Sequence, residues 1–68
     1  MKIEYDQDAD ALYIYLRNEK VDHSKNVDDN TVIDFDEKGK VIGIEILFVK
    51  ERNPELLKEL KFNNVVSA

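Results

Sequence analysis

The segment from Val41 to Val49, with the sequence VIGIEILFV, constrains the fold more than any other part of this chain. Read as a strand, it places apolar side chains on both faces: Ile42, Ile44, Ile46 and Phe48 on one, and Val41, Leu47 and Val49 on the other. A strand with one solvated face alternates apolar and polar residues, so a strand that is apolar on both faces belongs at the centre of a sheet or under cover on both sides. The sequence therefore predicts a sheet built around this strand.

The chain has limited means of covering such a sheet, because it contains only 68 residues. A chain of this length buries roughly 60% of the surface that its unfolded form exposes, which leaves its stability marginal. It has no cysteine, which excludes a disulfide framework, a thiolate nucleophile and a cysteine-ligated zinc site. We therefore expect one domain over residues 1–62 and a frayed tail over residues 63–68, stabilised by packing or by self-association.

Acidic residues outnumber basic ones by 15 to 10, and the net charge is −5. Residues 1–37 hold 11 acids and 4 bases, and residues 38–68 hold 4 acids and 6 bases, so the two parts carry −7 and +2. An acidic surface repels phosphate backbones, which disfavours nucleic acid and favours a basic protein as a partner. The charged start of the chain, and the lack of any run of about 20 apolar residues, predict a cytoplasmic protein with no membrane segment.

Two-residue alternation predicts further strands before Val41, and the spacing becomes helical near the end of the chain. The predicted strands span residues 2–5, 11–17, 21–27 and 31–36, the third of them a short or edge strand. The first connection, DQDAD, favours a turn because aspartate side chains accept hydrogen bonds from neighbouring backbone amides. The last tight connection contains Gly39, for which we expect a positive φ.

Asn53, Pro54 and Glu55 are typical of a helix start, and they predict a helix over residues 54–61. Its apolar stripe is Leu56, Leu57 and Leu60. We expect this stripe to cover a sheet face, with Phe62 closing the core; the face is made by Ile14, Ile33, Ile44 and Ile46. The predicted fold class is α+β, an antiparallel β-meander of four or five strands with one C-terminal helix packed on one face.

The sheet face opposite the helix is the most informative surface. The alternation gathers six apolar or aromatic residues there: Tyr13, Tyr15, Val32, Val41, Leu47 and Val49. Contiguous apolar patches mark interfaces, and tyrosine is favoured in them because it combines a large apolar area with a polar tip. This pattern predicts a homodimer interface. The alternative is that the tail covers the face with Val65 and Val66.

Asp6, Asp8 and Asp10 are spaced like the first ligands of a calcium-binding loop. Counting from Asp6, the sixth position of such a loop is Ala11 where a glycine is needed, and the twelfth is Arg17 where a bidentate glutamate is needed. Turn capping is therefore the favoured interpretation of these aspartates.

Asp34 and Glu45 are expected on one sheet face, on neighbouring strands, and paired carboxylates are used in acid/base and metal chemistry. The alternative is a structural ion pair with Arg17 or with a lysine. No nucleophile, oxyanion donor or second histidine accompanies the two acids, and His23 is expected to be solvated on the edge strand. We therefore predict no catalytic residue, no cofactor and no metal ligand.

Two segments, YDQDADALYIYL (residues 5–16) and VIDFDEKGKVIGIEIL (residues 32–47), together resemble the prokaryotic family called domain of unknown function 2283. Gln7 departs from the proline that many relatives carry, which affects only the stiffness of the turn. The resemblance implies a compact sheet-plus-helix domain with no established activity. It also implies that some relatives are encoded beside small proteins that look like RelE-type ribonuclease toxins.

Three functions follow as hypotheses. The leading one is a non-enzymatic interaction domain that self-associates, or binds another protein, through the face that contains Tyr13 and Tyr15. The second is an antitoxin-like binder that masks a basic RelE-type ribonuclease with its acidic half. The third is a carboxylate-based, metal-dependent enzyme that uses Asp34, Glu45 and the turn from Asp6 to Asp10.

Overall fold

The computed structural model describes the backbone of residues 1–62 and the side chains of residues 1–59. It contains one five-stranded antiparallel sheet and two helical segments. The strands are β1 (Lys2–Asp6), β2 (Ala11–Tyr15), β3 (His23–Asp28), β4 (Thr31–Phe35) and β5 (Val41–Leu47), and the helices are α1 (Val49–Arg52) and α2 (Pro54–Phe62). The predicted α+β class, with an antiparallel sheet followed by C-terminal helix, is confirmed. No helix in residues 1–62 is long and apolar enough to cross a membrane.

The strand order is β1-β2-β5-β4-β3, so the last strand in the sequence lies at the centre of the sheet. β3, β4 and β5 form a meander, and the β1-β2 hairpin pairs with the other side of β5. The central position suits β5, which is apolar on both faces. A central strand has neighbours on both sides, so only its two faces need to be covered. The connection over residues 16–22 carries the chain from β2 to the opposite edge of the sheet.

Aspartates hold the tight turns in the way that the sequence predicts. Asp6 Oδ1 accepts hydrogen bonds from the backbone amides of Asp8 (2.9 Å) and Ala9 (3.2 Å). In the β4-β5 turn, Asp36 Oδ1 accepts hydrogen bonds from the amides of Lys38 and Lys40, both at 2.9 Å, and Gly39 has a φ of 81°. The expected positive φ at this glycine is confirmed.

The end of β5 differs from the predicted strand. The strand stops at Leu47, Phe48 has a φ of 55°, and the chain then forms the short helix α1 before α2 begins at Pro54. A residue in the left-handed region cannot continue an extended strand, so the chain turns off the sheet at Phe48. Val49 consequently lies in α1, where it is fully buried.

The core lies between the helices and one face of the sheet. Its buried members are Tyr5, Leu12, Val49 and Leu57, and Ile3, Ile46 and Leu56 pack against them. This core is displaced toward β1 and β2 relative to the predicted one, because α1 starts directly above the β1-β2 turn. The strand register places three isoleucines of the predicted core on this face but only half-buried: Ile14, Ile33 and Ile44. The predicted roles of the Leu60 and Phe62 side chains, and of the tail with Val65 and Val66, lie outside the described residues.

Candidate functional site

The sheet face that points away from the helices is called the open face below. The strand register places these residues on it: Lys2, Glu4, Asp6, Ala11, Tyr13, Tyr15, Ser24, Asn26, Val32, Asp34, Gly43, Glu45 and Leu47. Every apolar helix residue that the structure places in the core packs on the other face, together with Tyr5 and Leu12. Within residues 1–62, the open face is therefore the side of the sheet that no helix covers.

Four of the six predicted interface residues lie together on the open face. Tyr13, Val32 and Leu47 are half-buried, and Tyr15 is 41% exposed. Val41 is 39% exposed, but it is the first residue of β5 and stands opposite Phe35 at a shift in register. The placement of Val49 on this face is wrong, because the turn at Phe48 carries it into α1 on the helix side.

Tyr13 and Tyr15 form a stacked pair on β2, the strand of the open face that lies between β1 and β5. Their ring centroids are 6.2 Å apart and their planes differ by 19°. On β5, Tyr15 stands opposite Gly43, which has no side chain. Burial, followed by the charge of Glu4, raises the pKa of Tyr15 above its usual value. Lys2 Nζ lies 6.0 Å from the centroid of this ring and pairs with Glu4 at 2.5 Å.

Asp34 and Glu45 meet on the open face, as their positions on neighbouring strands predict. Asp34 stands opposite Gly43, where a Cβ atom would lie 3.5 Å from Asp34 Oδ2, so the glycine leaves room for this carboxyl. Ser24 on β3 donates a hydrogen bond to Asp34 Oδ1 at 2.5 Å. Burial, followed by the charge of Asp34 and a hydrogen bond to it, raises the pKa of Glu45. The ion pair suggested for Arg17 is instead made with Glu19, at 3.0 Å.

Asp10 has a structural role that the sequence analysis missed. Its Oδ1 accepts hydrogen bonds from Tyr5 Oη (2.6 Å) and from the backbone amide of Lys50 (2.7 Å), and its Oδ2 lies 3.4 Å from the amide of Glu51. The hydrogen bond from Tyr5, followed by that from Lys50, lowers the pKa of Asp10. The same bond to Asp10 raises the pKa of Tyr5 to about 12. Asp6 thus caps its turn, as the favoured interpretation predicts, whereas Asp10 caps the start of α1, which turn capping does not include.

Other side chains that could take part in catalysis or ligand binding make local contacts instead. His23 Nδ1 lies 2.8 Å from Asp22 Oδ2, and its ring stacks on Phe35 with centroids 5.0 Å apart. Among the described residues, no group of three or more histidine, aspartate or glutamate side chains is arranged to hold a metal ion. An open depression between residues 17–22 and 36–40 carries balanced charge, with bases Arg17, Lys20, Lys38 and Lys40 facing acids Glu19, Asp22, Asp36 and Glu37.

Comparisons with known proteins place these features in a family. Residues 2–50 match the family model described as "Protein of unknown function (DUF2283)". The chain is similar to the uncharacterized protein MJ0789 of Methanocaldococcus jannaschii, with 47% identity over 47 residues, which is 69% of this chain and 40% of that relative. It therefore spans about two-fifths of the length of this curated relative. No solved structure matches the chain significantly.

The matched region covers the whole sheet and the start of α1. The two segments that carry the resemblance contain β2 and β5, which pair with each other at the centre of the sheet, so that Tyr13 stands opposite Glu45. The chain belongs to the family of proteins of unknown function DUF2283.

Proposed function

We propose that this protein is a small, non-enzymatic protein-interaction domain that self-associates through its open face. The observation that carries the proposal is the stacked pair of Tyr13 and Tyr15, flanked by Val32 and Leu47, on the side of the sheet that no described helix covers. Rigid aromatic side chains bury a large area at a low cost in conformational entropy, which makes them common anchors of interfaces. A second copy of the chain offers the same stacked pair and the same uncovered sheet face.

The area of the open face determines how tightly we expect two copies of the chain to bind. Five strands spaced by ~4.8 Å, each with about five residues that rise ~3.3 Å, give a face of about 400 Å² per copy. A symmetric dimer would then bury about 800 Å² in total, which is below the lower limit of about 1,200 Å² for standard stable interfaces. We therefore expect a weak dimer whose population depends on protein concentration in the micromolar range.

Replacement of Tyr15 by glutamate tests the proposal, because it places a charge within the contact surface and leaves the helix-side core untouched. Val21→Glu is the matched control: Val21 is 45% exposed and lies in the connection between β2 and β3, away from the open face. Light scattering should show the wild type and Val21→Glu approaching twice the 7.9 kDa chain mass at high concentration. Tyr15→Glu should stay at the chain mass and remain folded by circular dichroism. A wild type that stays monomeric at high micromolar concentration would overturn the proposal.

A basic protein is the second candidate partner, and the Asp34 and Glu45 carboxyls favour it. Two adjacent acids beside two tyrosine rings suit an arginine or lysine side chain, and the chain as a whole carries a charge of −5. The ribonuclease partner implied by the family resemblance is of this class. Glu45→Gln distinguishes the two candidates. In a symmetric dimer it removes a repelling charge, so the dimer should bind more tightly. In a complex with a basic protein it removes an attracting charge, so that complex should bind more weakly.

A further inference from the structure

The Asp34 and Glu45 carboxyls lie in the interior of the surface that the proposed dimer would bury. They are on β4 and β5, the two strands between β3 and β2, so neither is at an edge of the sheet. Two-fold pairing of the open face brings this pair in one copy toward the same pair in the other. Four carboxyls in one interface repel each other while they are ionised, and burial removes the water that would screen them.

We propose that the dimer takes up a proton at Glu45, beside Asp34, in each copy, so that self-association tightens as the pH falls and loosens as the pH rises. This inference rests on the self-association proposed above. Its structural basis is the direct contact between the two acids beside Gly43, which has no side chain to separate them. Two carboxyls in contact share one proton more readily than they carry two charges.

The groups around the pair do not supply a compensating cation in the part of the chain that the structure describes. On β1, Lys2 and Glu4 pair with each other. β2 contributes only the phenols of Tyr13 and Tyr15, and β3 contributes Ser24, which donates to Asp34. Strand alternation places His23 and Lys25 on the opposite face of the sheet, where the core residues of both helices also lie. Uptake of a proton therefore reduces the negative charge of the two carboxyls when the open face is buried.

The sign of the effect follows from the burial of Glu45. In one copy, burial and the charge of Asp34 already raise the pKa of Glu45 above its ordinary value of 4.5. Docking a second copy removes more water and adds more negative charge, and both changes raise this pKa further. Between the pKa in the monomer and the pKa in the dimer, the dimer binds more protons than two monomers do. The dissociation constant must therefore rise with pH over that interval.

The test is the dissociation constant of the full chain, measured by sedimentation equilibrium at about 0.15 M salt from about pH 5 to about pH 8. Three proteins are compared: the wild type, Glu45→Gln and Glu37→Gln. Glutamine keeps the shape of residue 45 but cannot titrate. Glu37 lies in the exposed β4-β5 turn, so its replacement removes the same charge from elsewhere on the surface and controls for the general effect of net charge. Asp34→Asn is the second variant at the pair, in case Glu45→Gln does not fold.

The dissociation constant of the wild type and of Glu37→Gln should rise by at least about tenfold across this range. That of Glu45→Gln should stay nearly constant and close to the low-pH value of the wild type. A wild type that dimerises equally well at every pH, or a Glu45→Gln or Asp34→Asn variant that keeps the full pH dependence, would overturn the inference and leave the proposed dimer standing. A wild type that is monomeric at every pH would overturn the proposed function and this inference with it.

Discussion

The carboxylate of Asp10 accepts a hydrogen bond of 2.7 Å from the backbone amide of Lys50, a residue 40 positions later in the chain. The carbonyl oxygen of Asp10 also accepts a hydrogen bond of 3.2 Å from the amide of Val49. The first amides of a helix have no partner within the helix, so a carboxylate placed there satisfies them and complements the helix dipole. Asp10 thus joins the β1-β2 turn to the start of α1 and fixes where the helices leave the sheet.

Asp10→Ala should lower the melting temperature by about 5 °C or more, because it removes a helix cap and the acceptor of the Tyr5 hydroxyl together. Asp10→Asn should lower it less, because asparagine keeps one oxygen acceptor and tolerates the φ of 52° at this position. Asp8→Ala is the control in the same turn. Equal melting temperatures for Asp10→Ala and Asp8→Ala, measured by circular dichroism, would contradict the capping role.

Tyr5 should make the domain sensitive to alkali. Its pKa is raised from 10.0 to about 12 by the bond to Asp10, so the folded state keeps a proton that the unfolded chain has lost. The stability from this bond is therefore complete below about pH 10 and is lost as the pH rises toward about 12. Urea melts of the wild type and Tyr5→Phe should show that the wild type loses more stability over this interval. Parallel losses in the two proteins would show that Tyr5 is not responsible.

Gly39→Val should destabilise the domain by about 1 kcal/mol or more, because a β-branched residue adopts a positive φ poorly. No atom lies within 4 Å of the position of an added Cβ, so the cost comes from the backbone and not from a collision. Gly39→Asn should cost clearly less, since asparagine visits the left-handed region more easily. Urea melts of the two variants check this order, and a neutral Gly39→Val would contradict the turn.

Glu45→Gln should stabilise the folded chain by about 0.5 kcal/mol at neutral pH, since it removes a half-buried charge next to Asp34. The raised pKa of Glu45 means that the folded state holds a proton more tightly than the unfolded state does. The charge of Glu45 therefore does not destabilise the wild type below the ordinary carboxyl pKa. The wild type loses stability relative to Glu45→Gln as the pH rises through the raised pKa of Glu45. Melts of dilute protein at acidic and neutral pH should show the two proteins diverging only as the pH rises. A variant less stable than the wild type at neutral pH would contradict this assignment.

The sequence predicts the sheet well because two-residue alternation and turn chemistry are local signals. β5 reads as a covered strand, and Gly39 and the aspartates mark their turns. The contact between Asp34 and Glu45 is also predictable, since it requires only that neighbouring strands share a face. These features depend on residues that are close in the chain or directly paired.

The parts that the sequence does not reveal depend on long-range geometry. Nothing in the side chain of Phe48 signals a left-handed backbone, so the strand is predicted to run on to Val49, and the face to which Val49 belongs is misplaced. The cap on Lys50 is also hidden, because it is made by Asp10, at the far end of a different hairpin. Both features follow from how α1 docks on the β1-β2 turn, which no local pattern encodes.

The most direct test of the proposed interface is to record amide chemical shifts of the wild type at low micromolar and near-millimolar concentration. Self-association through the open face predicts concentration-dependent shifts centred on β2, β4 and β5, with Tyr13, Tyr15 and Glu45 among the largest, and little change in α2. Shifts confined to the edge strand β3, or to the helices, would show that the chain associates through another surface. Spectra that do not change with concentration would show that the open face does not bind a second copy.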